Sequence, residues 1–320
     1  MQKRPLGKTG LDIAPLVFGG NVFGWTIDEA ASFDVLDAFV DHGFNAIDTA
    51  DVYSRWAPGN QGGESETIIG RWLKARPGMR DRVVIFTKVG ADMGQPGHKG
   101  LKAGWIERAV EDSLARLGIE TIDLYFSHWP DPGTPHEETL GAYDKLLRAG
   151  KIRAIGTSNY DAGLLFSAQE TARQHGLPAY QVLQPEYNLY DRASFDGALR
   201  DLCIREGLGV VTYYSLASGF LSGKYRGKED LSQSARGAGI EKKYLNPRGM
   251  AVLDALQQVA SGQNAKPAEV ALAWLMAREG VTAPIASATR RDQVESFARA
   301  AALTLSPADM AALEKASAPA

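Results

Sequence analysis

The chain has 320 residues, 44% hydrophobic and 23% charged, with a formal net charge of −3 from 35 Lys and Arg against 38 Asp and Glu. This is ordinary globular composition, and with neither sign gathered into a block it speaks against a basic face for nucleic acid while leaving room for a pocket that takes one phosphate. A single cysteine, Cys203, excludes an internal disulfide framework and multi-cysteine metal sites. The start MQKRPLGKTG has no apolar core of a signal peptide, and no apolar run reaches the roughly 18 residues of a membrane span, so a cytoplasmic protein without a membrane partner is expected.

Short apolar runs alternate with amphipathic stretches along the chain. Residues 3–6 and 12–14, around the turn Gly7-Lys8-Thr9-Gly10, predict a hairpin that plugs one end of the fold. Strands follow at 16–20, 45–48, 83–88, 122–128, 152–157, 181–184, 209–213 and 283–287. Helices fit around 28–42, 64–75, 103–117, 138–149, 162–175, 194–206, 250–261 and 290–301. Strands that alternate with helices require parallel pairing, and eight such units in one chain of this length fit a (β/α)8 TIM barrel better than an open sheet. No Pro, Gly or Ser-rich linker divides the chain, so residues 1–320 read as one domain. Residues 223–246 are polar and too long for a plain connection, which marks a functional or mobile loop.

In such a barrel the chemistry sits at the C-terminal ends of the strands. Asp48 ends the second predicted strand, Lys88 the third, His128 the fourth and Gln184 the sixth; Ser158 and Asn159 follow the fifth, and Tyr53 lies just beyond Asp48. Each alone has a bland explanation: a solvated lysine, a structural histidine, an aspartate that caps a turn. Their coincidence with strand ends does not. An unperturbed phenol is a poor acid–base group at neutral pH, but a neighbouring ammonium favours the phenolate, and a carboxylate keeps that ammonium charged and oriented. Asp48, Lys88 and Tyr53 form such a set, with His128 placed to hydrogen-bond a reacting carbonyl. No nucleophile–base–oxyanion arrangement accompanies them, which favours proton transfer coupled to hydride transfer over acyl transfer.

The segments Asn45-Ala-Ile-Asp-Thr-Ala-Asp-Val-Tyr53, Phe86-Thr-Lys-Val89, Tyr125-Phe-Ser-His-Trp-Pro-Asp131, Gly150-Lys-Ile-Arg-Ala-Ile-Gly-Thr-Ser-Asn159 and Gln184-Pro-Glu-Tyr-Asn188 occur in this order. Together they resemble the signatures of the aldo-keto reductase superfamily, closest to the bacterial branch related to potassium-channel β subunits and to general aldehyde, ketone and sugar reductases. The resemblance implies that Tyr53 is the general acid in carbonyl reduction, that Lys88 and Asp48 tune it, and that His128 orients the carbonyl.

It also implies an NADP(H) site. Val211-Thr-Tyr-Tyr-Ser-Leu-Ala-Ser-Gly-Phe-Leu-Ser-Gly-Lys224 resembles the family's seventh-strand segment, in which an aromatic ring, here Tyr213, stacks on nicotinamide. By the same match Tyr214, Ser215, Leu216, Ala217, Ser218, Gly219 and Lys224 hold the pyrophosphate, and Ser158, Asn159 and Gln184 take the carboxamide. Gly20 and Asn21, at the end of the first strand, also join the site with Asp48. Arg236 would clamp the phosphates from a long cofactor-covering loop, and Ser287, Thr289, Arg290 and Gln293 would meet the adenosine phosphate. Where the family has a Glu-Asn pair this chain has Ser296-Phe297, which implies a different adenine contact; Arg290-Arg291 favours a 2′-phosphate through bidentate guanidinium pairing.

Phe23, Trp25, Trp56 and Trp129 fall on the expected top loops and predict an apolar pocket that accepts a ring. The absence of G-x-G-x-x-G, P-loop and H-E-x-x-H patterns gives no support to an open-sheet dinucleotide fold or a metal site, and His136-Glu137-Glu138 reads as a helix start. Glu64 and Glu66, two apart on a helix, fall on different faces and read as solvated or near the cofactor's adenosine. The expected activity is NADPH-dependent reduction of an aldehyde or ketone. Two alternatives stand beside it: oxidation of a sugar or alcohol by the same site, and a non-catalytic NADP-binding regulatory subunit, against which the intact Asp48, Tyr53, Lys88 and His128 argue. Outer barrel helices look alike in monomers and oligomers, so the pattern sets no oligomeric state.

Overall fold

The computed structural model describes residues 1–233 and 237–318. Eight strands among them close into a parallel barrel: β3 (Val17–Gly19), β4 (Ala46–Asp48), β5 (Val84–Val89), β6 (Ile122–Ser127), β7 (Ile152–Ser158), β8 (Val182–Gln184), β9 (Gly209–Thr212) and β10 (Ala283–Ala286), with β10 returning to pair with β3. Two short antiparallel strands, β1 (Arg4–Pro5) and β2 (Asp12–Ile13), form the expected hairpin. Leu6, Leu11 and Ile13 from it share one buried cluster with Val17, Ala46, Phe86, Leu124, Phe126, Ala154, Val182, Val211, Ala283 and Ile285. The hairpin therefore plugs the barrel, as the sequence predicts.

Inside the barrel, side chains alternate with period two along each strand. Gly156 belongs to this packing: a Cβ there would lie 2.4 Å from the Phe126 ring. Replacement by Val is expected to destabilise the fold by about 1–3 kcal/mol through overpacking, seen as a lower urea midpoint; an unchanged midpoint would mean that the Phe126 ring moves freely.

The outer ring contains α1 (Glu29–Asp41), α2 (Glu64–Ala75), α3 (Ala103–Leu117), α4 (His136–Arg148), α5 (Ala162–His175) and α6 (Ala198–Glu206). Beyond β9 lie α7 (Gly237–Tyr244), α8 (Pro247–Gln263), α9 (Pro267–Ala277), α10 (Arg291–Ala302) and α11 (Pro307–Ala316). Here the structure corrects the sequence reading. The predicted helix at 250–261 exists as α8, but it packs against α9 and α11, whereas α9, unanticipated, is the helix that lies on β10. Its residues Val270–Met276 are all buried, so α9 is apolar on every face and lacks an amphipathic period. Within the long segment 223–246 the chain forms a 3₁₀ turn at Lys228–Gln233 and then α7. Lys243 of α7 pairs with Glu186 at 2.8 Å and Asp191 at 3.0 Å, and the Tyr244 hydroxyl donates to Asp191 at 2.9 Å, which ties the end of this segment to the loop after β8.

Candidate active site

The period-two register that fills the barrel also builds the site. Ala46 points into the plug and Asp48 is the next inward position; Phe86 is followed by Lys88, Phe126 by His128, Val182 by Gln184 and Val211 by Tyr213. Polar side chains thus form one layer on an apolar floor at the C-terminal end of the barrel.

Lys88 and Asp48 are buried and paired at 2.7 Å. The Lys88 ammonium also donates to the Thr49 carbonyl at 2.8 Å and to the Tyr53 hydroxyl oxygen at 2.9 Å, which satisfies its three N–H groups. The Tyr53 hydroxyl donates to Asp48 Oδ2 at 3.3 Å, and Gln184 Nε2 donates to Asp48 Oδ1 at 2.8 Å. Asp48 is therefore the hub, fixed by three donors. His128 lies beside Tyr53 with ring centroids 6.0 Å apart, and its Nδ1 is buried without a hydrogen-bond partner.

The electrostatics differ from the sequence expectation in one respect. Burial, then the negative charge of Asp48 and the hydrogen bond to it, hold the Tyr53 phenol well above its ordinary value, so Tyr53 is a neutral O–H donor. The ammonium was expected to favour the phenolate. Its charge is instead largely answered by Asp48, and desolvation prevails. Burial lowers Lys88 against the opposing pull of Asp48, and burial with the nearby Lys88 charge pushes His128 well down, leaving a neutral imidazole. A neutral phenol beside a neutral imidazole can hold a carbonyl oxygen by two hydrogen bonds and deliver one proton to it.

Around this centre the aromatic rings form a wall. Trp25 and Trp56 meet edge to face at 5.5 Å, Trp56 lies 6.0 Å from Tyr53, and Trp129 stacks on His128 at 5.9 Å. Trp56 and Trp129 are about half exposed. Phe23 does not belong to this wall: it is fully buried and stacked on Phe18 at 5.3 Å, turned into the core by the 3₁₀ turn Gly20–Val22.

Residues assigned to the cofactor gather along one side of the same mouth. Ser158 donates to the Gln184 carbonyl at 2.7 Å, and Asn159 donates to the His128 carbonyl at 2.9 Å and accepts from the Tyr213 hydroxyl at 2.7 Å. Tyr214, Ala217, Ser218 and Gly219 all have positive φ, the last at 94°, and fold residues 214–219 into a tight loop, with Ser215 buried and bonded to the Thr212 carbonyl. Within it the Ala217 N–H donates to the Tyr214 carbonyl at 2.7 Å and the Gly219 N–H to the Leu216 carbonyl at 2.8 Å. Leu216 caps this turn, and Lys224 lies beyond it over the Tyr225 ring. On the neighbouring strand end, Ser287 donates to Asn21 at 2.7 Å beside Gly20, and Gln293 accepts from the Thr289 N–H at 2.7 Å. Arg290 occupies the N-cap position of α10 and pairs at the surface with Asp292, and Arg291 pairs with Asp34. Arg236 lies outside the described residues.

Other residues were missed or misread in the sequence. Glu66 is fully buried, accepting from Arg116 at 2.6 Å and Thr87 at 2.5 Å, so it is not solvated; Glu64 accepts from the backbone N–H of Gln61 and Gly62. Ser296 donates to Glu269 of α9 and Phe297 is buried in the core. The Thr49 carbonyl, a backbone ligand of Lys88, has no sequence signal beyond its place after Asp48. No helix among the described residues is long and apolar enough to cross a membrane.

The model of the aldo/keto reductase family matches residues 15–318. The chain is 33% identical to the uncharacterized oxidoreductase YrpG of Bacillus subtilis over 95% of this chain and 92% of that protein. It is 32% identical to a probable voltage-gated potassium channel subunit beta of Arabidopsis thaliana over 94% and 91% respectively. With the L-glyceraldehyde 3-phosphate reductase of Escherichia coli O157:H7 it shares 30% identity over 98% of this chain and 92% of the other.

Proposed function

Because the chain belongs to the aldo/keto reductase family of NAD(P)-dependent oxidoreductases, we propose that it is an NADPH-dependent reductase of aldehydes and ketones in which Tyr53 is the general acid. The observation that carries this reading is the hub at Asp48: a single buried carboxylate holds Lys88, Tyr53 and Gln184 together, with the protonated Tyr53 ring beside Trp56 of the aromatic mouth. The substrate oxygen takes that proton from Tyr53 while His128 donates a second hydrogen bond to it, and Lys88 stabilises the phenolate left behind. Trp25, Trp56 and Trp129 wall the apolar part of the substrate.

The cofactor, when bound, supplies the hydride. The residues fit it: Gln184 commits its N–H to Asp48 and so presents its carbonyl oxygen to a carboxamide, with Ser158 and Asn159 alongside and the Tyr213 ring next to them. Residues 214–219 and Lys224 suit the pyrophosphate, and Ser287, Thr289, Arg290 and Gln293 the adenosine phosphate. Gly20 and Asn21 complete that side. With Ser296 bonded to Glu269 and Phe297 in the core, neither replaces the family's adenine contacts, so cofactor release is expected to be fast.

The surface pair Arg290–Asp292 is solvent-screened and easily exchanged for a phosphate. A bidentate Arg–phosphate contact costs on the order of 1.5–3 kcal/mol when lost. Arg290→Ala should therefore weaken NADPH about tenfold or more and hardly touch NADH. Fluorescence titration of both cofactors, with NADPH consumption on aldehydes and ketones, tests the proposal. Equal wild-type affinity for NADH and NADPH would reduce Arg290 to surface charge and remove the NADP preference.

A further inference from the structure

The acid–base cluster beneath the mouth has a member with no part in the reaction just described. Asp51, three residues beyond Asp48, is 2% exposed, and both of its carboxyl oxygens are buried without a hydrogen-bond partner. The cations near it are engaged by other groups, and of its own loop only the Val52 N–H bears on the carboxyl. Lys88 directs its three N–H groups to Asp48, Thr49 and Tyr53. Arg116 of α3 holds Glu66 of α2 at 2.6 Å and Ser113 at 3.2 Å, and Thr87 also donates to Glu66. Tyr125 of β6, whose field reaches Asp51, has a buried hydroxyl that is itself without a partner, and Tyr143 of α4 is bonded to Ser127.

Charge balance follows from these contacts. Asp48 answers Lys88 and Glu66 answers Arg116, so an ionised Asp51 would be an unanswered negative charge in the interior. An anion buried without a countercharge is strongly disfavoured. It would also compete with Asp48 and Tyr53 for the Lys88 ammonium.

Resting on the reductase reading, we propose that Asp51 is a positioning residue held as a neutral carboxylic acid, whose lack of charge leaves Lys88 wholly to Asp48 and Tyr53. In keeping with this, burial and then the charge of Glu66 push the Asp51 carboxyl well above the ordinary carboxylate range, outweighing the opposing pull of Arg116, the Val52 N–H and Lys88. The unfolded chain ionises this group near its ordinary value while the folded chain keeps the proton, so Asp51 costs stability progressively as pH rises above about 4, up to its folded value. Asn is nearly isosteric and removes that cost.

The test has two arms. In the cofactor-free protein, the melting temperature of Asp51→Asn minus that of wild type should rise with pH from about 4 toward neutrality, by roughly 2–4 °C per pH unit. In carbonyl reduction, the ratio of variant to wild-type kcat should rise on the alkaline side, where Asp51 of the wild type ionises and draws on Lys88. A stability difference that is flat, or that turns against the variant at neutral pH, means an ionised and paired Asp51 and overturns the proposal. A rising stability difference with a flat kcat ratio overturns the positioning role. If wild type reduces no carbonyl, the reductase reading fails, and the stability arm still decides the charge state of Asp51. If Asp51→Asn does not fold, the infrared spectrum of the wild type decides: a buried protonated carboxyl stretch persisting at neutral pH is expected, and its absence overturns the proposal.

Discussion

Tyr53→Phe will lower carbonyl reduction by about 10²–10⁴-fold, the usual worth of a positioned acid, while cofactor affinity stays nearly unchanged. The ring survives the substitution, and with it the edge contacts to Trp56 and His128 at 6.0 Å. Only the hydroxyl is lost, which donates to Asp48 and accepts from Lys88. Because burial and Asp48 hold this phenol well above its ordinary value, it is protonated throughout neutral pH, and no other O–H among the described residues bonds to Lys88. Turnover remaining above roughly a tenth of wild type, on that scale, would show that another group supplies the proton.

Lys88→Met should lower reduction steeply, leaving a residual rate, and also weaken the fold. Lys88 and Asp48 form a buried pair at 2.7 Å, and removal of one partner from such a pair costs about 3–5 kcal/mol, because the remaining charge is stranded. The Asp48 carboxylate would keep only Gln184 and Tyr53 as donors. Without the ammonium the phenolate is less stable, so in the fraction that folds the descending limb of kcat against pH should move upward. Circular dichroism and a urea titration would separate lost structure from lost chemistry. An unchanged pH profile with only a higher KM would assign Lys88 to substrate binding.

Much of the barrel could be read from the chain because its strands are short apolar runs separated by amphipathic helices, and the hairpin was marked by its Gly7-Lys8-Thr9-Gly10 turn. The polar layer was also readable: Asp48, Lys88, His128 and Gln184 each follow an apolar residue by two positions, so strand ends and site coincide. What escaped was set by three-dimensional environment. The helix α9 is buried on all sides and has no amphipathic period to betray it. Helix α11 had a signal, Ser306 and Asp309 in a capping box around Pro307, but a short helix at the end of the chain lies outside the β/α alternation that guided the reading. Phe23 looked like a pocket residue from its place after the first strand, and only the turn at Gly20–Val22 sends it inward. The direction of the Tyr53 shift depends on desolvation against the Asp48 charge, which motif spacing does not encode. Asp51 and Glu66 differ only in whether donors reach them, and no linear pattern shows that Arg116, fifty residues further along, finds the second and not the first.

The central claim, that the Asp48 hub arms Tyr53 to protonate a carbonyl during reduction, is tested most directly by measuring turnover and cofactor binding in the same preparations of wild type and Tyr53→Phe. NADPH consumption over a panel of aldehydes and ketones, with fluorescence titration of NADPH, should show turnover by wild type alone and nearly equal binding by both. Tight binding by both proteins with no turnover by wild type on any carbonyl would contradict the claim and leave a cofactor-binding regulatory subunit.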